Sequence, residues 1–415
     1  MKNLHPCALA ARTLLAGTAI ASLCGPALAD FKITSGNNEF VLSGALNAQV
    51  EALTTGNTTV AANRPSGRSR LNQNSSELRF TFNRNFGEGL QAFGTIGTEV
   101  QSFSGGNANN TSTFGFRNTG IGLRGGFGEV ALGRWDSHYH TNFLASVDSA
   151  YFTGPMAWST QALWGFVNSS ELLGNRFGNT VRYATPTVGG FTGHAIVSRG
   201  DGGVNNVAAS GITNAKDLST NLAVVYRSGP VSAFASIFDR NDFVMNLPFA
   251  AGAVSSLTSQ KSTRVGAKYH FSNGLAMGLI WDSSEQGHRV PGGAAAFAGE
   301  RSAKRSAWAI PVEYTSGKHR FNLGVGKAGA ADGTLFANST IGTNADTGAS
   351  FVNLGYKYWI DDMTNFHIGW SRLKNQRNGA YDLFLNGGVG NDMRGVGAAR
   401  GTTVQSIQAG MMFRF

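Results

Sequence analysis

From residue 39 onward, the chain is built of segments of about 8–14 residues in which apolar residues alternate with polar or small ones, the period of a half-buried strand. Leu78, Phe80 and Phe82 share one face, with Glu77, Arg79, Thr81 and Asn83 on the other. Val265, Ala267, Tyr269 and Phe271 oppose Arg264, Gly266, Lys268 and His270, and Val352, Leu354, Tyr356 and Tyr358 oppose Asn353, Gly355 and Lys357. The last strand sets Ile407, Ala409, Met411, Phe413 and Phe415 against Ser406, Gln408, Gly410, Met412 and Arg414. One face is continuously apolar and ends in aromatics. The other carries charge in mid-strand, where the core of a soluble sandwich would be dry.

The connections alternate as strictly as the side chains. Seven are tight and rich in turn residues: Asn85–Gly89, Gly125–Gly128, Thr187–Gly190, Ser228–Pro230, Ser272–Gly274, Thr315–Lys318 and Ile360–Met363. Eight longer ones lie near 54–75, 104–113, 135–175, 200–216, 241–259, 285–301, 329–348 and 376–399. This rhythm predicts sixteen antiparallel strands with both chain ends on the short-turn side. A spanning sheet must close on itself to satisfy its backbone in hydrocarbon, so the prediction is an all-β, 16-stranded transmembrane β-barrel. Trp308, Tyr314, Trp359 and Trp370 fit interfacial girdles. Pro311 lacks a ladder donor inside a predicted strand and is expected to mark a bulge.

The first 29 residues read as a leader. Lys2 and Arg12 precede the apolar run Thr13–Leu23, and Ala27-Leu28-Ala29 supplies a cleavage site, so a signal peptide spans 1–29 and the mature barrel 30–415. Both cysteines, Cys7 and Cys24, fall inside it, leaving the mature chain neither a disulfide framework nor a thiolate metal site. Its 32 basic residues against 24 acidic ones give a net charge of +8. The whole chain has 24 Arg and 10 Lys without a basic run, a poor match to a nucleic-acid surface. No later stretch approaches ~18 consecutive apolar residues, so no spanning helix is expected.

Particular stretches carry a resemblance. Phe40-Val41-Leu42-Ser43-Gly44-Ala45-Leu46-Asn47-Ala48, Gly87-Glu88-Gly89-Leu90-Gln91-Ala92 and Gly126-Phe127-Gly128-Glu129-Val130-Ala131-Leu132-Gly133-Arg134 resemble the first strand, the first turn and the approach to the third loop of the Gram-negative general porins. Asn175-Arg176-Phe177-Gly178-Asn179-Thr180-Val181-Arg182-Tyr183-Ala184-Thr185-Pro186 is the closest stretch, and the chain ends on Phe415 as these proteins do. The resemblance is to the beta-proteobacterial and neisserial branch. It implies a homotrimer in the outer membrane, contact with lipid and lipopolysaccharide, and Phe415 as a signal to the barrel-assembly machinery. It also implies that the long third loop, 135–175, folds into the pore as the constriction, with Asp136, Asp148 and Glu171 as its acids. Arg79, Arg117 and Arg182 would oppose them. The chain departs from the family at Glu77, where an arginine is usual, and at Arg79, where glycine is. Gly120 stands where an aromatic follows Arg117.

The function implied is passive diffusion of small hydrophilic solutes, without an enzymatic step or a cofactor. Lumen parity gathers Arg79, Arg117, Arg182, Arg227, Arg264, Lys268 and Lys357 against Glu77, Glu99 and Glu313, which favours anions. The alternative is a channel selective for an organic acid or a phosphate-like anion on the same scaffold. Arg134 shares parity with Val130 and Leu132, which suits a rim or subunit interface. His138 and His140 lack the acids or thiolates of a ligand set, and Trp158 and Trp164 suit anchors of a tucked loop. Gly120-Ile121-Gly122-Leu123-Arg124-Gly125 matches a dinucleotide fingerprint only in spelling, because no helix follows. No serine and histidine pair on adjacent outward positions suggests a barrel hydrolase.

Overall fold

The computed structural model describes residues 31–56, 68–72, 76–100, 114–137, 146–148, 158–166, 176–200, 216–249, 252–289, 300–334, 343–383 and 400–415. The leader 1–29, His138, His140 and Glu171 lie outside these residues. Within them the chain is almost wholly strand, with one 3-10 turn at Thr160–Leu163.

The strands are β1 (Phe31–Ser35), β2 (Asn38–Gly56), β3 (Arg68–Asn72), β4 (Glu77–Gly87), β5 (Leu90–Glu99), β6 (Thr119–Gly125) and β7 (Gly128–Asp136). Then come β8 (Arg176–Ala184), β9 (Phe191–Arg199), β10 (Leu218–Ser228), β11 (Val231–Phe249), β12 (Gly252–His270) and β13 (Leu275–Arg289). The last six are β14 (Glu300–Ser316), β15 (His319–Ala328), β16 (Asp332–Gly333), β17 (Ala349–Trp359), β18 (Thr364–Asn375) and β19 (Thr403–Arg414). All pair antiparallel in one sheet. β3 continues the line of β4 along β2, β1 continues that of β19, and β16 is a two-residue addition to β14, so the wall has sixteen staves. Closure runs through β2 and β19, from Ala45 opposite Arg414 to Gly56 opposite Thr403. Gly44 and Phe415 then exchange backbone hydrogen bonds of 2.7 and 3.1 Å.

Alternation fixes two faces. The outward one is apolar and exposed, as at Ile121 (66% exposed), Ile368 (54%) and Ile407 (57%), the signature of a wall set in hydrocarbon. The inward one is polar and buried, as at Asn47, Gln49, Glu51, Ser262, Arg264 and Gln408.

All seven tight connections occur where the sequence places them. Four expectations are corrected. The described residues of the stretch expected as a loop, 241–249 and 252–259, are strand: β11 and β12 run on, pairing from Phe243 with Thr258 to Phe249 with Gly252. Apolar and β-branched residues continue there, and the pairing resumes beyond an irregularity between Arg240 and Phe243. Trp135 and Asp136 belong to β7, so the third connection starts after Asp136. An irregularity follows between Gly133 and Trp135, where Gly178 and Asn179 of β8 stand opposite Arg134 alone, so the extra residue is on β8. Pro311 makes no bulge either. It pairs in register with Gly324, while the ladder to β13 skips two positions and resumes unshifted, from Met277 opposite Val312 to Ile280 opposite Ala309. Finally, β1 forms an additional N-terminal hairpin with β2.

Candidate functional site

On the inner side of β4–β8, every predicted arginine has an acidic neighbour on its own part of the wall. Arg79 bonds Glu77 at 2.7 Å, two residues away on the same strand. Arg117 lies 3.3 Å from Glu99 and 4.0 Å from Glu77. Arg182 pairs with Glu129, because Ala131 sits opposite Arg182 and Glu129 follows two residues along the same face. Its guanidinium also lies 4.2 Å from the centroid of the Trp135 ring. Asp136 bridges Arg176 at 2.6 Å and accepts from the Asn118 amide at 2.8 Å. Arg79 is the most open of these cations, with 37% of its side chain exposed; those of Arg117 and Arg182 are 11% and 9% exposed.

Two pieces of the third connection lie on the polar face of the opposite wall. Trp158 donates through Nε1 to Gln408 of β19 at 3.0 Å, and its ring lies where Cβ atoms on Gly355 and Gly369 would stand. Glycine at these two positions is what admits an indole against the sheet. Trp164 lies 5.1 Å from the Arg264 guanidinium, and Leu163 packs over Gly326. Asp148 clasps the segment to itself: one of its oxygens accepts from the Thr160 amide at 2.9 Å, the Thr160 hydroxyl at 2.7 Å and the Ser159 hydroxyl at 3.3 Å. Burial pushes the Asp148 carboxyl up, and these hydrogen bonds offset only part of that cost.

The contacts cover two predicted basic residues. Arg264 and Lys357 are completely buried, Arg264 bonding Asp282 at 3.0 Å and Lys357 lying 5.5 Å from the Trp158 centroid. Asp282 also accepts from Ser262 at 2.9 Å and lies 3.6 Å from Arg305, which makes a buried polar knot of one carboxylate and two guanidinium groups beneath Trp164. Arg134 points outward, its Nε donating to the Phe116 carbonyl at 2.9 Å.

Some inner-face charges were not named as pore-lining from the sequence. Glu129, Arg176 and Arg124 complete the charges of the first wall, and Arg320 and Arg414, the latter already on the polar face of the last strand by alternation, stand near the short turns of the second, 3.8 Å from Glu313 and 5.2 Å from the Trp359 centroid respectively. Parity alone could have placed Arg320 beside Asn322. Across β12–β19 the inner face carries Arg264, Lys268, Arg301, Arg305, Arg320, Lys357 and Arg414 against Asp282 and Glu313, among the described residues. The cationic excess therefore lies on the wall that the third connection touches. The wall of β4–β8 is locally balanced.

A family model described as Gram-negative porin matches residues 15–378. A search of curated proteins found no significant sequence match. Among solved structures, an anion-selective porin from Comamonas acidovorans superposes with a TM-score of 0.63 at 20% identity, covering 91% of this chain and 100% of its own. OmpT of Vibrio cholerae gives 0.63 at 14% identity, with 92% of this chain and 100% of its own covered. The channel DcaP of Acinetobacter baumannii gives 0.59 at 14%, with 94% and 100% covered. At such identities the superpositions speak for the fold. A closed sixteen-stave wall, its charged inner face and the family match over most of the sequence lead to one conclusion: the chain belongs to the Gram-negative porin family.

Proposed function

We propose that the protein is a passive outer-membrane channel for small hydrophilic solutes, favouring anions and working as a homotrimer. The observation that carries this reading is the division of the wall into an apolar, exposed outer face and a charged inner face with basic residues in excess. A water-filled lumen spares a polar solute the cost of entering hydrocarbon, and fixed charges at its narrowest part sort what passes. The third connection is the constriction in this reading. Its support is the packing of Trp158, Leu163 and Trp164 against the inner face of β12–β19, the wall that faces Arg79, Arg117 and Arg182 across the lumen.

Anion preference rests on net charge, because the pairs Arg79–Glu77, Arg117–Glu99 and Arg182–Glu129 weaken one another's field. The Debye length near physiological salt, about 8 Å, still lets uncompensated cations reach a passing ion. The trimer is supported by the trimer form named for OmpT of Vibrio cholerae.

Planar-bilayer recording tests the reading. Purified protein should insert as large ohmic steps in groups of three, with a zero-current potential of anionic sign in a salt gradient. Arg182→Glu should move that potential toward the cationic side, and Arg79→Glu, at the more exposed cation, should move it further. Cation selectivity in the native protein would sink the anion assignment and leave the channel standing.

A further inference from the structure

Near the short turns, the second wall concentrates cations that the constriction does not use. Arg320 on β15 lies directly opposite Lys357 on β17, and alternation turns both inward. Like charges directly opposite each other destabilise a sheet. Lys357 is completely buried, with Arg320 and Arg414 as cationic neighbours and Glu313 and Asp148 as acidic ones. Arg320 repels Arg414 as well. Both guanidinium groups lie against one ring, 6.0 Å and 5.2 Å from the centroid of Trp359, which shares the inward parity of Lys357 and so stands on the lumen side, not in the outer girdle expected from the sequence. The carboxylate beside Arg320 is Glu313, at 3.8 Å, too far for a hydrogen bond, and Glu313 is shared with the Asn322 amide at 3.4 Å. Arg320 Nε has no hydrogen-bond partner among the described residues.

We propose that Arg320, Arg414 and Trp359 form a binding station for a small oxyanion of the phosphate or carboxylate class at the short-turn mouth. Guanidinium forks match such oxygens two at a time, and the Trp359 face holds both forks in place through cation–π attraction. A bound oxyanion relieves the repulsion among Arg320, Lys357 and Arg414 beyond what Glu313 and Asp148 offset. The station rests on the channel reading, but it is independent of the arginines on β4–β8.

The test is chloride conductance of the full chain in planar bilayers, with inorganic phosphate added to each side in turn. Phosphate on the short-turn side should block saturably and at lower concentration than on the other. In the variant Arg320→Gln/Arg414→Gln the half-blocking concentration should rise on the order of tenfold, the scale of losing charge-assisted forks. Where that variant does not form a barrel, Arg320→Lys alone, which keeps the charge and loses the fork, should still raise it. Normal channels with an unchanged blocking concentration overturn the station alone. If the native protein opens no channels, the channel reading falls instead. In that event 31P line broadening of inorganic phosphate by the native protein in detergent decides the station: broadening lost in the variant supports it, and no broadening overturns it.

Discussion

Asp148 is completely buried, accepts three hydrogen bonds from Ser159 and Thr160, and has its carboxyl pushed above the ordinary 3.8 by burial. The folded state therefore holds the proton to higher pH than the unfolded chain does. Its contribution is fully present below about pH 3.8 and is lost as pH rises through the raised value. Thermal unfolding followed by tryptophan fluorescence should show this as a loss from acid to neutral pH that Asp148→Asn diminishes. An equal pH dependence in the two proteins would remove Asp148 as its source. The residue scale is also where sequence reading reached its limit. Period two put Arg264 and Lys357 on the polar face, but their covering by Trp164 and Trp158 comes from residues about a hundred or more positions away, and no local period records it. The pairing of Arg182 with Glu129 was hidden for a related reason, since it depends on the register between β7 and β8.

At the scale of elements, strands and tight turns were legible because each is written in a local rule: alternation for the staves, glycine and asparagine for the turns. The turn Ile360–Met363 shows how local it is. Asp361 accepts from the Met363 and Thr364 amides at 2.9 and 2.6 Å, bonds that hold its carboxyl below the usual range. Less legible were the far ends of β11 and β12, because their pairing resumes only beyond the irregularity between Arg240 and Phe243. The packed segment depends on two glycines of neighbouring strands. A Cβ on Gly369 would stand 2.4 Å from the Trp158 ring and one on Gly355 2.6 Å. Gly369→Ala should therefore lift Trp158 off the wall at a cost of about 1–3 kcal/mol, the usual range for overpacking. Red-shifted tryptophan emission and greater open-channel noise would report the lift. Emission and noise like those of the native protein would show that the segment is anchored elsewhere.

For the whole molecule, the decisive contact is the seam between β2 and β19, which joins segments about 350 residues apart in sequence. A buried chain of side chains crosses it: Arg70 bonds Glu51 at 2.7 Å, Ser406 bonds Glu51 at 2.7 Å, Gln408 bonds Ser406, and Trp158 bonds Gln408 at 3.0 Å. The packed segment and the seam thus share one set of hydrogen bonds. Gly44 sits at the foot of the seam, where a Cβ would meet the Glu77 carbonyl at 2.5 Å and the Phe415 ring at 3.0 Å. Gly44→Val should lower the temperature at which the barrel loses its folded mobility on a gel, while strand content after folding stays near native. An unchanged transition would show that the seam can spread to admit the larger side chain.

Because β2 and β19 are each other's neighbours, no stave can be called the edge once the ring is shut. Until then both are edges, each with a row of unpaired amides and carbonyls. A nascent chain that stops short of Thr403 has no partner to offer β2 at this place, however well its other strands pair. Completeness of synthesis is thereby converted into a geometric property, a ring that either shuts or does not, and a truncated product is left with sticky margins that proteases and chaperones can recognise.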